Sequence, residues 1–229
     1  MSSDLAFPAA PPVVLPVEGS EAVFPVHRIY CIGRNYGAHV REMGGDPKDQ
    51  PPIFFMKPAD AAIPPNQPVP YPPATSDLHH EIELVACLKG GGADVSPDRA
   101  LDLVFGYAAG VDLTRRDLQG VAKAAGSPWD AAKGFDASAP VGLIRPLERC
   151  GPLDGRIRLS VDGVVRQDAK LSDMIWSVAE TISQCSRLWC LQPGDLIFTG
   201  TPEGVGPLLR DQTVEGEVEG VGVVAFTVT

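Results

Sequence analysis

The sequence HHEIELVACL, residues 79–88, combines the alternation of a β-strand with two acidic side chains. Apolar residues fill its even positions: Ile82, Leu84, Ala86 and Leu88. Because side chains alternate between the two faces of a strand, these residues predict a core-facing side, and His79, Glu81 and Glu83 share the other side. Two carboxylates on one face repel each other unless positive charge lies between them. The stretch therefore predicts a strand that carries either a cation site or a solvated acidic face.

A third carboxylate follows a second apolar run, which covers residues 103–111 and is followed by Asp112. Together with Glu81 and Glu83 it gives three oxygen ligands, the donors that the hard cations Mg²⁺, Mn²⁺ and Ca²⁺ prefer. His79 is then expected as a partner of a ligand or as a base, because three carboxylates already suit such a cation. The alternative is an unrelated loop aspartate beside a solvated strand.

The size and charge of the chain limit its partners. Its 229 residues fit one large domain, or one domain with a small N-terminal appendage. A net charge of −10 argues against nucleic acid and anionic membranes as partners. An acidic substrate would need a local cation, or well-placed Arg and Lys side chains, to overcome this overall charge. The five cysteines lack CxxC or Cys/His spacing, so neither zinc nor disulfides are expected.

Targeting signals are not expected either. Residues 5–16 are apolar but contain four prolines and no basic region, which argues against a signal peptide. No apolar run approaches the length of a membrane span, which is about 20 residues. The expected location is the reducing cytoplasm.

Strand patterns predominate along the chain and short helices separate them. Strands are predicted at residues 28–32 and 53–56, and a hairpin turn at Asp162-Gly163. The pattern predicts an α+β, β-rich fold, a sandwich or roll with short helices. Residues 1–75 are expected to form an N-terminal arm with strands and a helix that does not fold independently, and residues 76–229 the catalytic core.

Two further helices are predicted from capping residues and apolar spacing. Thr114 and Asp117 have the spacing of a capping box that opens a helix ended by Gly126. The inner face of that helix is expected to carry Leu118, Val121 and Ala122. A second helix is predicted over residues 173–189, and its N-cap is expected at Ser172 or Asp173.

Four blocks along the chain resemble the fumarylacetoacetate hydrolase family. They are HHEIEL, VDLTRRDLQ, WDAAKGFDASAPVG and LQPGDLIFTGTPEGVG, which occur in the family's order and spacing. The resemblance runs from about Tyr30 to the C-terminus. The block IGRNYGAHVREMG is similar to the family's acylpyruvases, whereas PPIFFMKPADA, LTRRD and WDAAKGFDASAP look most like its fumarylpyruvate hydrolases of aromatic degradation.

The resemblance implies a mixed β-roll that commonly dimerises and binds a divalent metal through two glutamates and one aspartate. These ligands fall on Glu81, Glu83 and Asp112, the residues already selected by strand alternation. The family also places a lysine, a glutamine and a threonine at the site, and its acylpyruvases have a His/Glu catalytic pair on a mobile helix. The matching positions are Lys133, Gln119, Thr201, His39 and Glu42.

Local sequence adds one substrate-binding candidate and leaves alternatives for the others. Arg34 follows a strand end and Gly33, where its guanidinium is suited to a substrate carboxylate or, alternatively, to a surface salt bridge. Lys133 lies in the apolar, Gly-rich segment AAKGF, which favours a positioned role over a solvated one. His39 alone would be read as a surface histidine on a short polar helix.

These residues favour cleavage of a dicarboxylic 2,4-dioxo acid, of which fumarylpyruvate is the leading candidate. The carboxylate and keto oxygens of such an acid form a chelating pair, and a metal offsets the acidity of both partners. The alternatives are an oxaloacetate decarboxylase or tautomerase that uses the same site, and a non-catalytic metal-binding or scaffold protein.

Motion is expected around His39. The helix predicted in RNYGAHVREMGG, residues 34–45, is short and is bounded by Gly33 and by Gly44-Gly45. We expect it to act as a lid that orders over bound ligand.

Overall fold

The computed structural model describes residues 5–42 and 52–229. Gly44 and Gly45, predicted to end the first helix, lie outside the described residues. The strands are β1 (Val14–Pro16), β2 (Val23–Pro25), β3 (Ile29–Gly33), β4 (Ile53–Lys57), β5 (Ala62–Ile63), β6 (Leu78–His80), β7 (Ile82–Leu88), β8 (Val104–Val111), β9 (Thr114–Arg115), β10 (Ala139–Pro140), β11 (Arg145–Pro146), β12 (Arg156–Val161), β13 (Val164–Lys170), β14 (Leu196–Phe198), β15 (Gly206–Leu208), β16 (Thr213–Val218) and β17 (Gly222–Thr227). The helices are α1 (Gly37–Glu42), α2 (Pro97–Ala100), α3 (Arg116–Ala125), α4 (Asp130–Lys133) and α5 (Val178–Leu188).

Two sheets enclose the main core. A mixed six-stranded sheet has the order β11-β8-β7-β14-β3-β4, with β14 parallel to β3 and antiparallel to β7. An antiparallel four-stranded sheet, β13-β12-β16-β17, packs against β7 and β8. The predicted α+β, β-rich sandwich or roll is therefore confirmed. Among the described residues, no helix has both the length and the apolar character needed to cross a bilayer.

Strand β7 is buried on both of its faces. Its even positions, Ile82 to Leu88, belong to the core between the two sheets, as predicted. Val85 and Cys87, at odd positions, belong to a second apolar cluster on the other side of the sheet. Glu81 and Glu83 share that side and are only 6% and 1% exposed, so the solvated-face alternative is wrong. The alternation thus assigned the faces correctly, and both faces are covered by other parts of the chain.

The helix predicted over residues 173–189 begins later than expected. Helix α5 starts at Val178, and its N-cap is Ser177, whose hydroxyl accepts a hydrogen bond from the Glu180 backbone. Ser172 and Asp173, the expected N-caps, lie instead in a 3₁₀ turn. The reason is tertiary, because residues 175 and 176 donate their backbone N–H groups to Asn35 and are thereby held out of the helix.

The capping box predicted at Thr114 is also wrong. Thr114 lies in β9 and turns its hydroxyl towards Glu81, while Arg115 is the N-cap of α3 without a side-chain cap. The predicted inner face is wrong as well, since Val121 is 69% exposed and the only buried residue of α3 is Gln119. The predicted end of the helix is confirmed, because Gly126 adopts the left-handed conformation of a C-cap.

Candidate active site and metal centre

The three carboxylates meet where β7 and β8 pair. Glu81 lies between β6 and β7, Glu83 lies in β7, and Asp112 follows directly after β8. The antiparallel register places Ile82 opposite Val111, which brings the end of one strand beside the start of the other. One carboxylate oxygen from each residue lies within 4.8 Å of the other two, and all three residues are buried.

The charge balance of this cluster calls for a cation. Burial, together with the charges of Asp112 and Glu81, raises the pKa of Glu83 well above its usual value. Within the described residues Glu83 accepts one hydrogen bond, from the Gly200 backbone at 2.7 Å. Asp112 Oδ1 is buried, and its close partner within that part of the chain is the Lys57 ammonium at 2.8 Å. Three buried carboxylate oxygens with unused acceptor capacity suit a hard divalent cation.

Lys133 lies against the same cluster. Its ammonium is 2.9 Å from Glu81 Oε2, 2.5 Å from Asp112 Oδ2 and 2.6 Å from the Thr114 hydroxyl. Burial alone would lower the pKa of Lys133, but the charges of Asp112 and Glu81 outweigh it and raise the pKa above its usual value. Lys133 therefore remains an ammonium and does not act as a base.

Lys57 is a second buried lysine, and sequence analysis missed it. Its ammonium lies 2.8 Å from Asp112 Oδ1 and donates to the backbone carbonyls of Leu113 and Lys133. Lysine is rarely buried unless it is paired, so a lysine directly after the apolar run IFFM was a usable signal. The two lysines therefore bind different oxygens of Asp112: Lys57 contacts Oδ1 and Lys133 contacts Oδ2.

Arg116 binds the remaining ligand, Glu81. Its guanidinium donates to Glu81 Oε1 and, at 2.6 Å, to the side-chain oxygen of Gln119. Burial would raise the pKa of Glu81, but the charges of Lys133 and Arg116 hold it well below its usual value. His79 accepts a hydrogen bond from Arg116 at 3.3 Å, so it contacts the partner of a ligand and not the cluster itself.

His39 and Glu42 form a pair on α1. His39 Nδ1 lies 3.1 Å from Glu42 Oε2, which leaves the other ring nitrogen available. The backbone N–H of Gly204 donates to Glu42 Oε1 at 3.2 Å. His39 is 8% exposed and lines the same cavity as the carboxylate cluster. The alternative of a surface histidine is therefore wrong.

One cavity of about 110 Å³ brings most of the predicted residues together. Its lining includes seven of the nine predicted residues: Arg34, His39, Glu81, Glu83, Gln119, Lys133 and Thr201. The other two, Glu42 and Asp112, contact lining residues from outside. The lining of the cavity also includes Phe55, Lys123 and Trp129, which sequence analysis did not select.

Thr201 is held by a buried polar network. Gln167 donates to the Thr201 hydroxyl at 2.8 Å and accepts from the Ile82 backbone at 3.0 Å. The side-chain oxygen of Gln167 also accepts a hydrogen bond from His80 Nδ1, so the neutral ring of His80 carries its proton on Nδ1. Burial lowers the pKa of His80 to about 4, so this histidine is neutral near pH 7 and serves the network, not catalysis. Gln167 lies in the polar strand segment VVRQDAK, where nothing in the sequence distinguishes it.

Arg34 reaches the cavity from a strained backbone. Its φ of 65° is left-handed, a conformation that costs about 1 kcal/mol or more in a residue with a side chain. Asn35 fixes this turn by donating to the Thr199 and Trp176 carbonyls at 2.7 and 2.9 Å and by accepting from the Trp176 backbone. Because the buried Asn35 amide holds Arg34 in this strained conformation, the direction of the Arg34 side chain is expected to matter for function.

Comparisons with known proteins identify relatives of this chain. Residues 28–229 match the family described as fumarylacetoacetate (FAA) hydrolase C-terminal. The crystal structure of fumarylpyruvate hydrolase from Pseudomonas aeruginosa, in complex with Mn²⁺ and pyruvate, is similar at 47% identity and a TM-score of 0.97, over 99% of each chain.

Two curated relatives carry different activities in their names. Fumarylpyruvate hydrolase from a Ralstonia species is 42% identical, over 77% of this chain and 92% of the relative. The mitochondrial oxaloacetate tautomerase FAHD1 from Bos taurus is 41% identical, over 87% of this chain and 90% of the relative. The substrates in these two names, fumarylpyruvate and oxaloacetate, are both 2-oxo acids.

Proposed function

Because this chain belongs to the fumarylacetoacetate hydrolase family, we propose that it is a metal-dependent hydrolase that cleaves fumarylpyruvate into fumarate and pyruvate. The observation that carries the proposal is the shared cavity. His39 lines it together with the carboxylate and lysine cluster of Glu81, Glu83 and Lys133. A base and a charge-stabilising cluster in one cavity are what hydrolysis of a carbon–carbon bond next to a carbonyl requires.

The metal ligands in this proposal are Glu81, Glu83 and Asp112. A divalent cation bound there supplies Lewis-acid polarisation of the carboxylate and keto oxygens of the pyruvate half. The chain's own contribution is to balance the charge of the ligands. Lys57, Lys133 and Arg116 pair with Glu81 and Asp112. Glu83 pairs with no cationic side chain among the described residues, so its charge is left to the metal.

His39 is the general base that activates water for attack on the fumaryl carbonyl. Its free ring nitrogen takes a proton from the water as the oxygen bonds to the carbonyl carbon, and Glu42 orients the ring and stabilises its charged form. The carbon–carbon bond to the pyruvyl methylene then breaks, and its electron pair passes into the pyruvate half. The proton that His39 took then passes to that methylene and completes pyruvate, and the added water oxygen leaves with fumarate.

Lys133 and Gln119 act on the half that receives the electrons. Since Lys133 remains an ammonium, it stabilises the negative charge that develops on the pyruvyl oxygen. Gln119 is held by Arg116 through its side-chain oxygen, so its amide nitrogen is directed away from the guanidinium and is available to a substrate oxygen. Thr201, fixed by Gln167, offers a further hydroxyl at the same wall.

Tautomerisation of oxaloacetate is the second candidate, favoured by the tautomerase relatives. It moves a proton between carbon and oxygen next to a carboxylate, so it uses the charge-stabilising cluster without attack by water. Decarboxylation of oxaloacetate follows the same logic, since electrons again pass into a pyruvyl unit. Both reactions depend less on His39 than hydrolysis does.

Product analysis separates these candidates. Metal-stripped protein is offered fumarylpyruvate, acetylpyruvate and oxaloacetate, with and without Mg²⁺, beside a Glu81→Ala control. Pyruvate and fumarate that form only with metal and only in wild type support the hydrolase. Carbon dioxide from oxaloacetate, or faster interconversion of its keto and enol forms, with both dioxo acids intact, supports the alternatives. No turnover of any acid supports a non-catalytic metal-binding protein.

We further propose Mg²⁺ or Mn²⁺ as the native metal, a role in aromatic degradation, and a cytoplasmic homodimer. The metal follows from oxygen ligands, and the dimer from family resemblance and from exposed apolar side chains such as Val121 and Leu209, which are 69% and 62% exposed. Sedimentation velocity tests the dimer. We also propose that residues 1–75 do not fold alone, because β3 and β4 are hydrogen-bonded into the central sheet.

A further inference from the structure

One wall of the cavity is formed by a single face of helix α3. Arg116, Gln119 and Lys123 line the cavity and are spaced three and four residues apart, so they lie in a row along one side of the helix. Arg116 marks the inner end of the row, because it donates to Glu81. Lys123 lies about 10 Å farther along the axis, at a rise of about 1.5 Å per residue. The row therefore leads outward from the carboxylate cluster.

Aromatic side chains connect the same two ends. The Lys133 ammonium lies 4.9 Å from the centre of the Phe55 ring, the Phe55 and Trp129 rings lie 5.9 Å apart, and the Lys123 ammonium lies 5.2 Å from the Trp129 ring. This succession gives the cavity an apolar middle with a lysine at each end. A flat, unsaturated carbon chain fits such a middle through contact with aromatic faces.

The outer end carries positive charge without an acidic partner among the described residues. Lys133 and Arg116 form ion pairs with the carboxylates, whereas Lys123 and Arg34 form none with any residue in the described ranges 5–42 and 52–229. Lys123 is an exposed residue at the mouth of the cavity, where partial desolvation and the charges of Arg116, Lys133 and Arg34 lower the pKa of its ammonium. Cations that face one cavity without an acidic partner, in a chain of net charge −10, favour an anionic ligand.

We propose that Lys123 and Arg34 bind the second carboxylate of the substrate, so that the site selects dicarboxylic over monocarboxylic 2-oxo acids. This inference rests on the proposed function and names the residues that recognise the fumaryl end. An extended seven-carbon diacid spans about 7 to 8 Å between its terminal carbons, given carbon–carbon bonds of about 1.5 Å. The flexible side chain of Lys123 spans the remaining length of the row. Arg34 lines the same cavity from its strained turn between β3 and α1, and its charge acts on Lys123.

The test is a binding measurement with acids that cannot be cleaved. The metal-loaded protein is titrated calorimetrically with 2-oxoheptanedioate and with 2-oxoheptanoate, which share seven carbons and differ in the terminal carboxylate. Both lack the second carbonyl at which water attacks. Wild type is expected to bind the diacid at least tenfold more tightly, as a charge-assisted hydrogen bond predicts.

Variants assign that preference to the two residues. Lys123→Met and Arg34→Gln are each expected to weaken binding of the diacid about tenfold and to leave binding of the monoacid unchanged, while Lys123→Arg retains the preference. Lys89→Met, which removes a lysine outside the cavity, is the matched control. The proposal is overturned if wild type binds both acids equally, if Lys123→Met keeps the full preference, or if it weakens both acids alike.

The subsite and the proposed function fail in different ways. A protein that prefers the diacid but does not cleave fumarylpyruvate retains the subsite and loses the hydrolase assignment. A protein that cleaves fumarylpyruvate without a preference for the diacid retains the assignment and loses the subsite.

Discussion

The backbone N–H of Gly204 donates to the Glu42 carboxylate at 3.2 Å, across 162 positions of the chain. The same loop, four residues earlier, donates the Gly200 N–H to Glu83 at 2.7 Å. One loop after β14 therefore holds both a proposed metal ligand and the carboxylate that orients His39. Displacement of this loop should disturb metal binding and proton transfer together.

Gly200→Ala tests the loop. Gly200 has a φ of +91°, and an added Cβ would lie 2.7 Å from the Cβ of Asn35. We expect a loss of about 1–3 kcal/mol in the free energy of unfolding, because a residue with a side chain is strained there. Metal affinity should fall as well, since the Gly200 N–H moves away from Glu83. Thermal melts and metal titration measure both effects.

Gly120→Ala is the matched control for that substitution. Gly120 lies within α3, and a Cβ there would meet nothing within 4 Å. This variant should be stabilised by about 0.5–1 kcal/mol and keep its metal affinity. Equal melting temperatures for the two variants would contradict the role assigned to the loop.

Asn35→Asp should weaken the turn that carries Arg34. The substitution removes the amide that donates to the Thr199 and Trp176 carbonyls but keeps an oxygen for the Trp176 backbone. One buried and one partly buried carbonyl then lose their donor, which costs about 2–4 kcal/mol in total. Chemical denaturation measures the loss, and steady-state kinetics should show a raised KM for fumarylpyruvate. An unchanged KM would separate Arg34 from substrate binding.

His39→Gln should lower the rate of fumarylpyruvate hydrolysis much more than the rate of oxaloacetate tautomerisation. Loss of a general base lowers kcat for fumarylpyruvate cleavage by about 10²–10⁴. Binding of Mn²⁺ should be unchanged, because His39 pairs with Glu42 and not with the carboxylate cluster. Glu42→Gln should give a smaller decrease, since the base itself remains. Retention of full hydrolase activity by His39→Gln would remove this residue from the mechanism.

Lys133→Met should make folding depend on metal. Lys133 is buried and pairs with Glu81 and Asp112, so its removal leaves uncompensated carboxylates at a cost of about 3–5 kcal/mol. Added Mg²⁺ should restore much of this loss by replacing the missing positive charge. Melting temperatures with and without Mg²⁺, beside the surface control Lys89→Met, measure the difference. Equal metal-induced shifts in both variants would argue that Lys133 does not share the charge of the cluster.

The metal cluster could be predicted from sequence because its geometry is local. Alternation placed Glu81 and Glu83 on one strand face, and a second apolar run placed Asp112 at the end of another predicted strand. Their burial was not local information, since the covering residues come from distant segments. Sequence alone therefore left the solvated-face alternative open.

The features that sequence analysis missed depend on distant partners. Residues 174–176 carry apolar spacing that resembles the start of a helix, but Asn35, 141 positions away from Trp176, binds the backbone N–H groups of residues 175 and 176. Thr114 has the spacing of a helix cap, yet its hydroxyl serves Glu81 and Lys133. In both places a tertiary hydrogen bond overrides local propensity.

The carboxylate cluster is proposed to hold the metal on which cleavage of fumarylpyruvate depends. The most direct measurement is pyruvate release from fumarylpyruvate as Mn²⁺ is added to metal-stripped wild type and to Glu83→Gln, which keeps the side chain's shape and removes its charge. We expect a rate that rises and saturates with Mn²⁺ in wild type, and a rate at least about 10²-fold lower in a folded Glu83→Gln protein. Full activity of metal-stripped wild type, or of Glu83→Gln, would contradict this proposal.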